Sequence, residues 1–106
     1  KLQIMSPNAA VLRMKDAIHP DEARTPVSRL CYAVQLGLLG EVEAQSTIAK
    51  GLPRIEELSQ VFTDADSRAL LATASSALVD GNFYRCLKSL KLLLPREERL
   101  LALQGA

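Results

Sequence analysis

Apolar residues recur at helical spacing in the segment that follows Thr25. The set at positions i, i+3, i+4, i+7 and i+11 comprises Val27, Leu30, Cys31, Val34 and Leu38. This spacing places them on one face of a helix. Thr25 is a typical N-cap residue, and Pro26 suits the first helical position. The pattern predicts an amphipathic helix that runs to about Leu39, with Arg29 and Gln35 on its outward face.

A second helical segment is interrupted by a Gly-Leu-Pro sequence. The residues from Glu41 to Lys50 are compatible with a helix, and Gly51-Leu52-Pro53 follows them. Proline lacks the N–H that an α-helix needs, and it disfavours the helical conformation at the residue before it. We therefore expect a break or kink at this point and a new helix from Pro53 through Phe62.

Two further helices are predicted to form a C-terminal αα-hairpin. Thr63-Asp64-Ala65-Asp66 is typical of a helix N-terminus, with the Thr63 hydroxyl as the predicted cap and an acid three residues on. The helix that follows should end at Gly81. Asn82 suits the N-cap of the next helix, which should run from Phe83 to Leu94. The residues that we expect to be buried across this hairpin are Leu70, Leu71, Ala74, Leu87 and Leu90.

The N-terminal part of the chain has a different pattern. Two short apolar runs, Lys1 to Met5 and Ala10 to Met14, are separated by a Ser-Pro-Asn-Ala cluster typical of a turn. This arrangement predicts a β-hairpin, and the predicted fold class is therefore α-dominated α+β. We expect one domain over residues 1–106, with a short N-terminal β-hairpin (1–16), a connecting loop (17–24) and a four- to five-helix bundle (25–106).

Charge is weak in total but segregated along the chain. The formal net charge is +1 at pH 7. Residues 1–30 hold five basic and three acidic side chains, residues 31–80 hold three and seven, and residues 81–106 hold five and two. The chain thus has positive ends and an acidic middle. No apolar run approaches the roughly 20 residues needed to span a bilayer, so the sequence predicts no membrane insertion.

The C-terminal basic residues share one face of the last predicted helix. At about 100° per residue, Arg85, Lys88 and Lys91 fall within an arc of about 120°, opposite the apolar face. One explanation is that cations near a helix C-terminus complement its dipole and keep the surface polar. The other is that they contact the phosphates of a nucleic acid and release its counterions.

Four leucines near the C-terminus have two possible roles. They are Leu92, which falls inside the basic arc, and Leu100, Leu101 and Leu103, which follow it. Either this apolar surface remains available to another chain, or the tail folds back and covers it.

No residue pattern indicates catalysis, a metal site or a bound cofactor. Cys31 and Cys86 lie 55 positions apart without a C-x-x-C pair, which favours two reduced cysteines that fill core volume in an intracellular protein. A disulfide or a redox role is the alternative. His19 is the only histidine and has no partners at metal-ligand or nucleophile-base spacing, so we interpret it as a loop residue. The sequence therefore predicts a protein that is not an enzyme.

Three segments of the chain resemble a known protein family. They are Val11-Leu12-Arg13-Met14-Lys15-Asp16, Thr25-Pro26-Val27-Ser28-Arg29-Leu30-Cys31-Tyr32, and Gly81-Asn82-Phe83-Tyr84-Arg85-Cys86-Leu87-Lys88 followed by Leu93-Leu94-Pro95. In order and spacing they resemble the FlbT family of flagellin regulators from alphaproteobacteria. Members usually have another short β-rich segment before this point, so the resemblance implies that an N-terminal segment is missing here.

The resemblance implies one of two functions. The first is that of a non-enzymatic post-transcriptional regulator in the cytoplasm, which binds the 5′ untranslated region of flagellin mRNA and limits its translation and lifetime. The second is that of a protein-binding, chaperone-like module of flagellar assembly, which engages flagellin or its companion FlaF and affects the mRNA only indirectly.

Each function has its own candidate residues. The candidates for RNA contact are Arg13, Lys15, Arg29, Tyr84, Arg85, Lys88 and Lys91. The candidates for protein contact are Leu92, Leu100, Leu101 and Leu103. We also expect a homodimer or a hetero-complex, because an unpaired edge of a β element invites pairing with another chain.

Overall fold

The computed structural model describes residues 17–105 of the chain. These residues form five α-helices, preceded by a short 3-10 helix at Pro20–Glu22. The α-helices are α1 (Pro26–Leu38), α2 (Ala44–Val61), α3 (Ala65–Val79), α4 (Phe83–Lys91) and α5 (Leu94–Gly105). Helix α4 packs against both α1 and α3, while α2 packs against the same two helices, so the four enclose one core.

The predicted α+β class is wrong. Every regular element between residues 17 and 105 is helical, and no strand occurs in that range. The class depended on a β-hairpin assigned to residues 1–16, which lie outside the described residues. Apolar runs as short as those two do not distinguish a strand from other structures by their period alone. The helical bundle that was predicted to follow is confirmed.

Helix α1 begins and ends where local sequence places it. The Thr25 hydroxyl accepts a hydrogen bond from the backbone N–H of Ser28, while the Thr25 N–H donates to the Ser28 hydroxyl at 2.8 Å. These reciprocal bonds satisfy donors that have no partner inside the helix. At the other end Gly40 adopts φ +78°, a conformation that glycine enters most easily.

The sequence predicted Gln35 on the outward face of α1, and this prediction is wrong. Its side chain is buried, and its amide pairs with the backbone of Ile18 through both polar groups. The Ile18 N–H donates to Oε1 at 2.7 Å, and Nε2 donates to the Ile18 carbonyl at 2.9 Å. Gln35 thus holds the segment before the 3-10 helix against the bundle.

The predicted break at Gly51-Leu52-Pro53 and the new helix from Pro53 are wrong, because α2 continues through Pro53. A kink at this point stays a prediction. A Cβ atom added to Gly51 would lie 2.7 Å from Cδ2 of Leu78, so Gly51 allows α2 and α3 to approach closely. Pro53 lacks one helical hydrogen bond. The packing of α2 against α1 and α3 offsets the loss of this hydrogen bond, and a local sequence pattern does not indicate such packing.

The hairpin of α3 and α4 forms the centre of the core. Gly81 adopts φ +77° in the connection, as its position predicted. Among the residues expected inside the hairpin, Leu70 is partly buried and the others are buried. Two boundaries differ from prediction: Asp64 rather than Thr63 caps α3, and the last predicted helix divides after Lys91, with Pro95 near the start of α5. Proline fits there because first-turn N–H groups need no helical partner.

Candidate functional site

The predicted cluster of C-terminal cations lies on α4, which begins after its N-cap Asn82. The Asn82 side chain accepts a hydrogen bond from the backbone N–H of Arg85 at 3.1 Å, which fixes the first turn. Arg85 and Lys88 are exposed, and Lys91 is half-buried. The apolar face of α4 is buried in the core, so the two exposed cations point away from it. We call Arg85, Lys88 and Lys91 the α4 basic strip.

Tyr84 lies beside this strip and is half-buried. The Nζ atom of Lys88 is 5.6 Å from the centroid of the Tyr84 ring, within the range of a cation–π contact. One face of the ring is therefore covered by a cation of the same helix. For a nucleic-acid base to stack on that face, Lys88 must first move aside.

Arg29, another predicted RNA-contacting residue, does not lie on the α4 basic strip. Arg29 lies on α1, where its guanidinium donates to the Arg24 carbonyl at 3.0 Å, and it lines a groove between α1 and α2. Arg13 and Lys15 lie outside the described residues. In the described part of the chain, the strip thus consists of residues from α4 alone.

The predicted protein-contacting leucines are largely exposed. The side chains of Leu92, Leu101 and Leu103 are 59%, 45% and 74% exposed. Leu100 is partly buried and packs against the core. Folding back of the tail therefore covers only Leu100 to a substantial degree, and three large apolar side chains remain in contact with solvent.

Two polar residues of α5 attach this helix to the bundle, and neither contact was predicted from the sequence pattern. Glu97 is buried, and its carboxylate accepts hydrogen bonds from the Thr25 hydroxyl and from the Val27 N–H, the latter at 3.0 Å. A carboxylate at a helix N-terminus satisfies an unpaired donor and interacts favourably with the helix dipole. Glu97 therefore caps α1 from a position 70 residues further along the chain.

Arg96 makes the second attachment. Its Nη1 atom lies 3.2 Å from Oδ2 of Asp64, the N-cap of α3, and 3.3 Å from the Ser67 hydroxyl. The hydrogen bond from the Ser67 backbone N–H holds the pKa of the Asp64 carboxyl below its ordinary value, and Arg96 contributes in the same direction. Arg96 is therefore engaged in an ion pair with the N-cap of α3.

The two cysteines are both free and buried, as predicted. Burial raises the pKa of the Cys31 thiol and of the Cys86 thiol to about 12. Both thiols are therefore protonated at neutral pH, and a protonated thiol is a poor nucleophile and metal ligand. Among residues 17–105, no group of three or more His, Cys, Asp or Glu side chains is arranged to hold a metal ion. No helix in that range is long and apolar enough to cross a membrane.

The described part of the chain thus defines a small helical-bundle protein whose distinctive features are surface cations and exposed leucines. A family model described as flagellar protein FlbT matches residues 1–101. The chain belongs to the FlbT family.

Individual relatives agree with this assignment. A probable flagellum biosynthesis repressor protein FlbT from Rhodopseudomonas palustris (strain TIE-1) is 32% identical over 96 residues, which cover 90% of this chain and 73% of the relative. Proteins of the same name from Chelativorans sp. (strain BNC1) and Caulobacter sp. (strain K31) are 29% and 26% identical, over 86% and 92% of this chain and 63% and 75% of their own lengths. No solved structure gives a significant match.

Proposed function

We propose that this protein is a non-enzymatic repressor of flagellum biosynthesis that binds the 5′ untranslated region of flagellin mRNA and limits its translation and lifetime. The name shared by its relatives, flagellum biosynthesis repressor, supports the regulatory role. The observation that supports a nucleic-acid ligand is the α4 basic strip, with Arg85 and Lys88 exposed on one helix face. The proposal requires a cytoplasmic protein, because the mRNA leader is there.

Exposed cations on one face of a helix suit a phosphate backbone. Residues three positions apart on a helix lie on the same side, so Arg85 and Lys88 project together. Each cation that neutralises a phosphate releases condensed counterions, which makes the binding dependent on salt concentration. Because Lys88 already covers one face of the Tyr84 ring, we expect phosphate contacts to dominate over base stacking.

The test is a titration of the protein with a flagellin leader transcript at several salt concentrations. The double variant Arg85→Gln/Lys88→Gln should bind more weakly, and the slope of log affinity against log salt should flatten by about 1.4, since each contact to a single strand contributes about 0.7. The matched control is Lys50→Gln/Arg54→Gln, which removes two exposed cations from α2. This control should leave the slope nearly unchanged. Equal slopes for all three proteins would remove the α4 basic strip from the RNA interface.

A second function, that of a protein-binding module, is favoured by the exposed leucines of α5. Leu101 and Leu103 offer apolar surface that a partner such as flagellin or FlaF would bury. In this case any effect on the mRNA is indirect. The variant Leu101→Gln/Leu103→Gln should lose binding to purified flagellin or FlaF while its leader-RNA affinity stays the same. Unchanged binding to both proteins would contradict this function.

A homodimer or a hetero-complex stays a prediction. Light scattering at micromolar concentration gives the mass directly, and the same leucine variant shows whether these side chains contribute to self-association. A monomer mass for the unaltered protein throughout that range would contradict the homodimer and leave binding to a different protein as the remaining form of assembly.

A further inference from the structure

A surface groove separates α1 from α2 on the side facing solvent. The two helices approach closely near their connection, where a Cβ atom on Gly37 would lie 2.6 Å from Oγ1 of Thr47. The groove contains two cavities of about 190 and 370 Å³, which share Arg54 in their walls. The smaller one lies next to the connection, where Val42 and Thr47 line it. The larger cavity lies toward Pro26 and Val61, so the groove widens with distance from the connection. We call this feature the α1–α2 groove.

The base of the α1–α2 groove is apolar. Leu30 and Val34 of α1 line the narrower cavity, and Leu58 of α2 lines the wider one. At the wide end, the side chain of Val61 is 51% exposed although it is large and apolar. A groove with such a base favours an apolar ligand surface over a polar one.

The edges of the groove are cationic. Arg29, Lys50 and Arg54 line it, and the acidic residue lining it is Glu57. Lys50 and Arg54 lie one turn apart on α2, and both are exposed. Within residues 17–105, neither side chain has a hydrogen bond or an ion pair. The groove therefore combines an apolar base with cations available to a ligand that is itself acidic.

We propose that the α1–α2 groove binds an acidic amphipathic helix of a partner protein. The stretch of α1 from Pro26 to Leu36 that lines the groove is about 15 Å long at 1.5 Å per residue, enough for about three turns of a bound helix. Apolar residues at i, i+3, i+4 and i+7 of that helix would occupy the base, and its flanking carboxylates would meet the cations. This inference does not depend on the proposed RNA contact, which involves a different face.

Other occupants fit the groove less well. None of its described lining residues is aromatic, so a single-stranded nucleic acid has no stacking surface there. Residues 1–16 of this chain include Lys1, Arg13 and Lys15 but only one acid, Asp16, so their charge repels that of the groove. The binding experiment below distinguishes a single-stranded nucleic acid and residues 1–16 from an acidic helix as the occupant.

The probe is a fluorescein-labelled synthetic helix of about 14 residues, with leucines at i, i+3, i+4 and i+7 and glutamates beside them. Fluorescence anisotropy measures its binding to the full chain. The variant Lys50→Glu/Arg54→Glu should weaken binding by at least about tenfold, which is about 1.4 kcal/mol. The matched control Arg85→Glu/Lys88→Glu changes the net charge equally on α4 and should stay within about twofold of the unaltered protein. A peptide with lysines in place of the glutamates should not bind.

Several results would overturn the proposal. No binding of the acidic peptide, or equal losses in the two charge variants, would show that the groove does not recognise it specifically. A flagellin leader transcript that loses affinity through Lys50→Glu/Arg54→Glu rather than through the α4 variant would assign the groove to RNA. That result would also overturn the proposed α4 contact, whereas failure of the peptide alone would leave that contact intact. Displacement of the probe by a synthetic peptide of residues 1–16 would assign the groove to the chain's own N-terminal segment.

Discussion

Replacing Glu97 tests whether one buried carboxylate joins the two ends of the described bundle. In the variant Glu97→Ala, the buried N–H of Val27 loses its acceptor. An unsatisfied buried donor costs about 1–3 kcal/mol, and hydrogen bonds to a charged group contribute about 1.5–3 kcal/mol. These contributions overlap, and Thr25 keeps its bonds to Ser28. We therefore expect a loss of about 2–4 kcal/mol in the free energy of unfolding.

A conservative variant separates charge from hydrogen bonding. Glu97→Gln keeps an oxygen acceptor for the Val27 N–H but removes the negative charge at the N-terminus of α1. The expected loss is about 0.5–2 kcal/mol, the magnitude of a favourable charge–dipole interaction in a partly buried site. Thus Glu97→Ala should be less stable than Glu97→Gln.

The assay is urea denaturation at neutral pH, followed by far-UV circular dichroism. Glu98→Ala is the matched control, because Glu98 is the next residue of α5 and is exposed. It should change stability by no more than about 0.5 kcal/mol. If Glu97→Ala and Glu98→Ala had the same stability, Glu97 would not hold α5 on α1, and the reasoning would be refuted.

Two further predictions concern the core and the acid sensitivity of the fold. Leu87 is 2% exposed in the hairpin of α3 and α4. The variant Leu87→Ala should therefore lower the free energy of unfolding by about 2–5 kcal/mol in the same denaturation assay. A loss below about 1 kcal/mol would contradict the burial of Leu87. The pKa of the Asp64 carboxyl is lower in the folded state than in the unfolded state. Its ionised form therefore stabilises the fold at pH values above the unfolded-state pKa. This contribution is lost as the pH falls through the folded-state pKa. The variant Asp64→Asn should therefore show a smaller loss of stability on acidification than the unaltered protein, and parallel stability curves against pH would contradict the assignment.

The sequence predicted those helix ends and turns that depend on residues close by in the chain. Thr25 and Asn82 both accept the expected capping bonds, and Gly81 turns the chain with positive φ. These features depend on contacts within four residues, so a single sequence contains the relevant information. The helical period likewise predicted the buried face of the hairpin, because burial on one face of a helix is what produces that period.

Features that depend on distant contacts were not predictable in the same way. Gly51 and Pro53 are helix-breaking residues by local preference, yet α2 continues through both, and Leu78 of another helix packs closely against Gly51. Gln35 looks like a surface residue until the backbone of Ile18 is placed beside it. In each case the deciding partner is at least 17 residues away in the chain, so no local pattern indicates it.

The same limit applies to the candidate site, where equal charges have unequal roles. Arg96 and Arg85 are both C-terminal arginines, but Arg96 is paired with Asp64 whereas Arg85 is exposed on α4. Arg96 and Glu97 attach the first turn of α5 to the bundle and Leu100 packs against the core, whereas Leu101 and Leu103 are exposed. Because the attachment fixes where the helix begins, Leu101 and Leu103 are presented from a defined position. The variant Glu97→Ala should therefore lower the affinity of any partner that binds Leu101 and Leu103, even though Glu97 itself is buried.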